Sequence, residues 1–227
     1  MRTPEVNYRH LRLYNINSPE YAHVKLLAGW IVYAAMYLLT ENAIAPECCS
    51  VVHCRLDDWI PFCSWFIIPY VSWYFLVLGT LGWFFLYSVK SFRGLQIYIM
   101  VTQIIAVSAY ILFPTRQDLR PGILAGESLA GLVSLIYRLD TNTGVCPSLH
   151  VAWSLGVLSA WLREKQAGIP WKVMVSLWCL LICMSVVFVK QHSVIDIAAA
   201  IPMCLAAEWM AYYRDSRPVL NRKEHPA

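Results

Sequence analysis

The sequence predicts an all-α integral membrane protein, a bundle of six transmembrane helices with an interfacial helix in the outer loop before the fourth span. Three observations carry this prediction. Of 227 residues, 59% are apolar and only 14% charged, against roughly a half and a quarter in a soluble domain. The mean hydropathy of +0.51 leaves too few charged side chains to clothe a water-facing surface. Apolar runs of about 20 residues, enough to cross roughly 30 Å of hydrocarbon, recur along the chain. Gly (10) and Pro (12) are ordinary, which excludes collagen and disorder, and a dispersed net charge of +4 does not suggest nucleic acid.

The runs fall near 26–45, 62–88, 95–113, 147–162, 171–189 and 194–213. The first carries Glu41 near its outer end, and it is too late and too long for a cleavable signal peptide. The second, fifth and sixth are the clearest, and the fourth is short. No internal repeat or long linker appears. The chain therefore divides into an N-terminal segment (1–25), one transmembrane domain (26–213) and a C-terminal tail (214–227).

Basic residues are retained on the cytoplasmic side of membrane proteins. Arg2, Arg9, Arg12, Lys25, Lys90, Arg93, Arg163, Lys165, Lys172, Arg214, Arg217, Arg222 and Lys223, thirteen of the 18 Lys and Arg, fall on one side. Arg55, Arg116, Arg120, Arg138 and Lys190 fall on the other. Both termini are expected in the cytoplasm, in the plasma membrane, with the chemistry on the extracytoplasmic face.

The outer connection 114–146 is longer than a turn between helices needs. Within it, 127–139 (ESLAGLVSLIYRL) mixes apolar and polar residues as an interfacial helix does. The last outer connection is nearly absent, reduced to Lys190, Gln191 and His192. His150 and His192 are 42 residues apart, with one descending and one ascending span between them. The two imidazoles are expected to meet at the outer face.

Asp196 follows His192 by four residues and shares its face. It can accept one ring N–H and leave the other nitrogen as an oriented nucleophile. The helix start there offers unpaired N–H groups to an anion. Pro147 opens the fourth helix, which leaves the N–H groups of Ser148 and Leu149 to face phosphate oxygens. Arg120 and Arg116 add planar forks, and Lys190 a compact ammonium. Together these parts make a cradle for a tetrahedral oxyanion beside a nucleophile and an acid, which points to phosphoryl transfer.

Arg120-Pro121, Pro147-Ser148-Leu149-His150 and His192-x3-Asp196 occur in the order of the motifs K-x6-R-P, P-S-G-H and S-R-x5-H-x3-D. In this the chain resembles the type 2 phosphatidic acid phosphatase superfamily of membrane lipid phosphatases, over about 100 residues from Phe113 to the sixth span. Three positions depart from the pattern. Phe113 stands for Lys, with Arg116 the nearest cation; Val186 stands for Arg, with Lys190 nearest; and Leu149 replaces Gly. The P-S-L-H form is similar to the branch that includes inositol phosphorylceramide synthase.

The resemblance implies that His192 attacks phosphorus to form a phosphohistidine, with Asp196 orienting it. His150 would protonate the leaving oxygen and then activate water or an acceptor alcohol. Arg120, Arg116, Lys190, Ser148 and Leu149 would hold the phosphate, with no metal and no other cofactor. A lipid phosphate is the expected partner, in or on the bilayer. Head-group transfer between lipids is the alternative reaction, and a transporter that binds an anion without chemistry is the alternative class.

Other residues have simpler readings beside them. Ser148 also suits a helix cap, and Arg116 and Lys190 also suit headgroup anchors. Cys48, Cys49, His53 and Cys54 crowd the first outer loop without a standard metal spacing, so a disulfide is the better expectation, with its partners unread. Asp57 and Asp58 suit a solvated turn or a contact to a polar head group. Glu208, deep in the sixth span, is expected to reach the inner headgroups or a partner. Trp73 and the other span tryptophans read as belt or packing residues.

Overall fold

The computed structural model describes residues 3–122 and 126–213; Arg2, the tail cations Arg214, Arg217, Arg222 and Lys223, and the side chain of Glu41 lie outside them. Eight α-helices follow one another among the described residues: α1 (Gly29–Ala43), α2 (Arg55–Trp59), α3 (Ile67–Tyr87), α4 (Val89–Leu112), α5 (Ala130–Leu139), α6 (Leu149–Arg163), α7 (Ile169–Phe188) and α8 (Val194–Glu208). Tighter turns lead into α1 (Ala22–Ala28) and α3 (Ser64–Phe66), and a wider one, Trp209–Tyr213, continues α8.

Five helical segments among the described residues are long and apolar enough to cross a membrane: Ala22–Thr40, Ser64–Tyr87, Val89–Leu112, Ile169–Phe188 and Val194–Tyr213. The expected fourth span, α6, has only 15 residues. Its composition follows from its place. Val151, Ala152, Trp153, Ser154, Gly156, Val157, Ala160 and Trp161 are all buried, so α6 is enclosed by other helices where α7 exposes Val173, Leu177, Leu180 and Leu181. A helix facing protein has less need of an unbroken apolar run, and small residues let its neighbours approach. A Cβ on Gly156 would stand 2.5 Å from the ring of Tyr98 on α4.

The third helix begins earlier than expected, at Val89, and takes in Lys90 and Arg93. The connection from α3 to α4 is therefore Ser88 alone. Its tightness has a visible cause: the Glu5 carboxylate accepts the Val89 N–H at 2.8 Å, which caps the exposed start of α4. The N-terminal segment is thus docked on the bundle. Tyr8 donates to the Phe85 carbonyl at 2.7 Å, and Glu5 N–H to that of Leu86 at 2.8 Å. At the same end, Ser88 and Ser91 donate to buried Glu164 at 2.6 and 2.8 Å. Glu208 finds a partner there too, accepting from Ser159 at 2.9 Å and pairing with Arg163.

The described connections 44–66, 113–122, 126–148 and 189–193 gather at the opposite end. Strands β1 (Ser50–Val51) and β2 (Thr115–Arg116) pair in parallel, with Ser50 opposite Thr115. The Cys63 N–H reaches the Phe188 carbonyl at 3.0 Å, and Gln117 N–H that of Asn142 at 3.0 Å. The helix α5 lies in this group, burying Val133 and Ile136. All eight cysteines are unbonded thiols, so the expected disulfide is not formed.

Candidate active site

Helix α7 ends in a turn so tight that the N–H groups of Gln191 and His192 both reach the Val186 carbonyl, at 2.9 and 3.0 Å. Lys190 takes a left-handed backbone there (φ 56°), a conformation that costs a non-glycine residue about 1–2 kcal/mol. Ser193 then caps α8, and Asp196 reaches back to accept the Ser193 N–H at 2.9 Å. The same oxygen, Oδ2, stands 3.1 Å from Nδ1 of His192. A capping box, a local device for starting a helix, thus also orients an imidazole. Asp196 is fully buried and His192 8% exposed. With Nδ1 turned to the carboxylate, Nε2 is the nitrogen left for chemistry.

His150 enters from α6. Its ring lies between Tyr70 and Trp73 of α3, with centroids 4.5 Å from each, and 5.8 Å from the ring of His192. The two imidazoles are close enough to touch one phosphoryl group. Nε2 of His150 is buried without a hydrogen-bond partner. The two helix starts are joined by the backbone: Ser148 N–H donates to the Asp196 carbonyl at 3.1 Å, and Ser148 Oγ caps α6 toward Val151 N–H. Ser148 N–H is therefore spent within the fold and does not face a ligand; Leu149 lines the cavity described next.

Both histidines open onto a cavity of about 470 Å³, within the range of ligand pockets. Its walls come from α1 (Tyr33, Tyr37, Leu38), α3 (Trp73, Tyr74), α4 (Gln103, Val107, Tyr110) and the loop residues Asp140, Thr141, Thr143, Gly144 and Val145. No Lys or Arg is among the described residues that line it. The three expected phosphate cations are absent from its lining and are engaged elsewhere. Arg120 donates to the carbonyls of Tyr137, Asp140 and Thr141 at 3.0, 2.7 and 2.9 Å and stacks on the Tyr137 ring. Arg116 pairs with Asp118 at 3.2 Å. Lys190 donates to the carbonyls of Asp57, at 2.8 Å, and Ile60. Burial lowers its pKa from the ordinary lysine value, and the Asp57 and Asp58 carboxylates act against that.

The anion seat expected at the start of α8 is already filled. Asp57 of α2 is buried rather than solvated, accepting from Ser193 Oγ at 2.6 Å and from Val194 N–H at 2.8 Å. Burial opposes its ionisation, but hydrogen bonds from Ser193, Val194 and Cys54 outweigh that and hold its carboxyl below the ordinary value. Asp58 pairs with His53 at 2.8 Å. Burial and the adjacent Asp196 carboxylate push the Cys146 thiol up to about 12, so it stays protonated.

Sequence reasoning missed Asp140, Tyr70 and Gln191. Tyr70 OH and Gln191 Nε2 both donate to Oδ2 of Asp140, the latter at 3.1 Å. Gln191 adjoins His192, which was a signal in plain sight; Asp140 and Tyr70 belong to no motif, and only the fold brings them in. Trp73, read as belt or packing, lines the cavity against His150. No family model, curated protein or solved structure matches the chain.

Proposed function

We propose that the protein is an integral membrane enzyme that removes phosphate from a lipid through a phosphohistidine on His192. The observation that carries this reading is the buried His192–Asp196 pair at 3.1 Å with the ring of His150 5.8 Å away, all at one cavity. Nε2 of His192 attacks phosphorus, the bond from phosphorus to the lipid oxygen breaks, and protonated His150 gives its proton to that oxygen. His150 then takes a proton from water as the water oxygen attacks phosphorus. The P–N bond breaks, and inorganic phosphate leaves with His192 restored. Asp196 supports the charge that His192 carries in between.

The apolar and aromatic stretch of the cavity along α1 suits a lipid tail, and the histidine end suits its head. In this reading α6 is a sixth span, α5 lies at the interface, both termini are cytoplasmic and the site opens outside the plasma membrane. Arg120, Arg116 and Lys190 act on the phosphate by potential rather than contact.

Head-group transfer to a lipid alcohol is the second reading. It is favoured by the lack of Lys and Arg among the described lining residues, since a phosphodiester brings less charge than a monoester dianion. Phosphate release from labelled phosphatidic acid, isoprenyl diphosphate and sphingoid phosphate, in detergent with chelator, tests the proposal against His192→Ala and His150→Ala. Release that is lost in both variants supports it; a labelled new phospholipid instead supports transfer; no product in the parent refutes both.

A further inference from the structure

We infer that Asp140 and Gln191 form a subsite for a protonated amine on the lipid head group, so that the ligand is a zwitterion carrying ammonium beside phosphate. Asp140 is the one Asp, Glu, Lys or Arg among the described residues that line the cavity; Arg120 holds its main-chain carbonyl at 2.7 Å, but among the described residues no salt bridge reaches its carboxylate. Its Oδ2 is held by Tyr70 and Gln191. The Arg120 guanidinium is spent on main-chain carbonyls, so the cavity side of this carboxylate is open to a second cation.

Gln191 supplies the independent observation. It is 3% exposed and lines the cavity. Its amide orientation is fixed, because Nε2 donates to Asp140. Oε1 is then a buried acceptor with no donor. Oε1 of Gln103, another residue that lines the cavity, is in the same condition. Acceptors without donors, next to a negative charge, ask for a cation that brings N–H groups. The cavity's aromatic rings, Tyr33, Tyr37, Trp73, Tyr74 and Tyr110, add faces that attract a cation.

The subsite stands beside the histidines. Gln191 precedes His192 in the chain, and the Tyr70 ring that stacks on His150 carries the hydroxyl bound to Asp140. Asp140 is thus one hydrogen-bonded neighbour removed from each imidazole. An amine carried close to the phosphate, as in a long-chain amino-alcohol phosphate, matches that adjacency. The inference rests on the phosphotransfer reading for the place of the phosphate, but binding tests it without turnover.

The test uses the full chain with His192→Ala, in detergent, with binding measured by titration calorimetry. Four amphiphiles of one chain length are compared: a 2-amino-alkyl phosphate, its N-acetylated form, a trimethylammonium phosphodiester and an alkyl phosphate without nitrogen. The primary amine is expected to bind about tenfold more tightly than the nitrogen-free phosphate. The trimethylammonium compound should fall between them, and the acetylated one should lose the preference. Asp140→Asn should erase the difference. Equal binding of all four, preference for the nitrogen-free compound, or no binding of any overturns the inference, and these comparisons need no change at Asp140. If the amine is preferred while the parent releases no phosphate from it, the subsite stands and the phosphatase reading falls.

Discussion

The N–H of Ser148 donates to the main-chain carbonyl of Asp196, 3.1 Å away. This single bond ties the start of α6 to the start of α8. His150 lies two residues beyond one end of it, and His192 four residues before the other. The spacing of the two imidazoles is therefore set by backbone as well as by side-chain packing.

His192→Ala is expected to abolish turnover and leave the fold intact. His150→Ala should lower the rate by about 10² to 10⁴, the worth of general acid–base catalysis. A labelled phosphoenzyme trapped by rapid quench separates the two roles: it should be absent from the first variant and present in the second when the leaving group is a good one. A phosphoenzyme in His192→Ala would assign the nucleophile elsewhere.

Asp196→Asn keeps the shape of the capping box but loses the charge beside Nδ1 of His192. The expected cost in kcat is on the order of 10²-fold or more, by analogy with a carboxylate that fixes a catalytic imidazole. Because a merely structural role would move stability alone, the pH dependence of kcat is the informative readout. It should shift in Asp196→Asn, with helix content by circular dichroism unchanged.

Asp57 links α2 to the start of α8, and its folded pKa lies below the ordinary carboxylate value. A lowered carboxyl pKa stabilises the fold above the unfolded value, about 4, and that contribution is lost as pH falls through the folded value. Thermal unfolding of the parent in detergent should therefore weaken below about pH 4. Asp57→Asn should be less stable at neutral pH by about 1.5–3 kcal/mol, the worth of hydrogen bonds to a charged group, and should lose this part of the acid dependence.

Gly156→Ala should destabilise the protein by about 1–3 kcal/mol, the usual cost of overpacking a core. The added methyl would meet the Tyr98 ring at 2.5 Å. Gly156→Ala combined with Tyr98→Leu should recover part of the loss, which a scan of melting temperatures would reveal.

Much of this molecule was legible in its sequence, for physical reasons that can be named. Long apolar helices such as α3 and α7, which meet the length and composition of a membrane span, announce themselves because nearly every residue is apolar. The His192–Asp196 pair was readable because a spacing of four fixes a shared helix face. What could not be read was where long cations would point. Arg120, Arg116 and Lys190 satisfy carbonyls and a carboxylate in the loops, and nothing local in the chain encodes those partners. Asp57 was misread as solvated for the same reason: its partners, Ser193 and Val194, are more than 130 residues away. The position of α4 was shifted because Glu5, far upstream, caps it.

Helix α1 supplies Tyr33, Tyr37 and Leu38 to the cavity, yet the apolar segment Ala22–Thr40 to which they belong buries very little of itself in protein. One wall of the cavity is thus held largely by the solvent it stands in. Changing the thickness or stiffness of that solvent, with no change to the polypeptide, would resize the cavity.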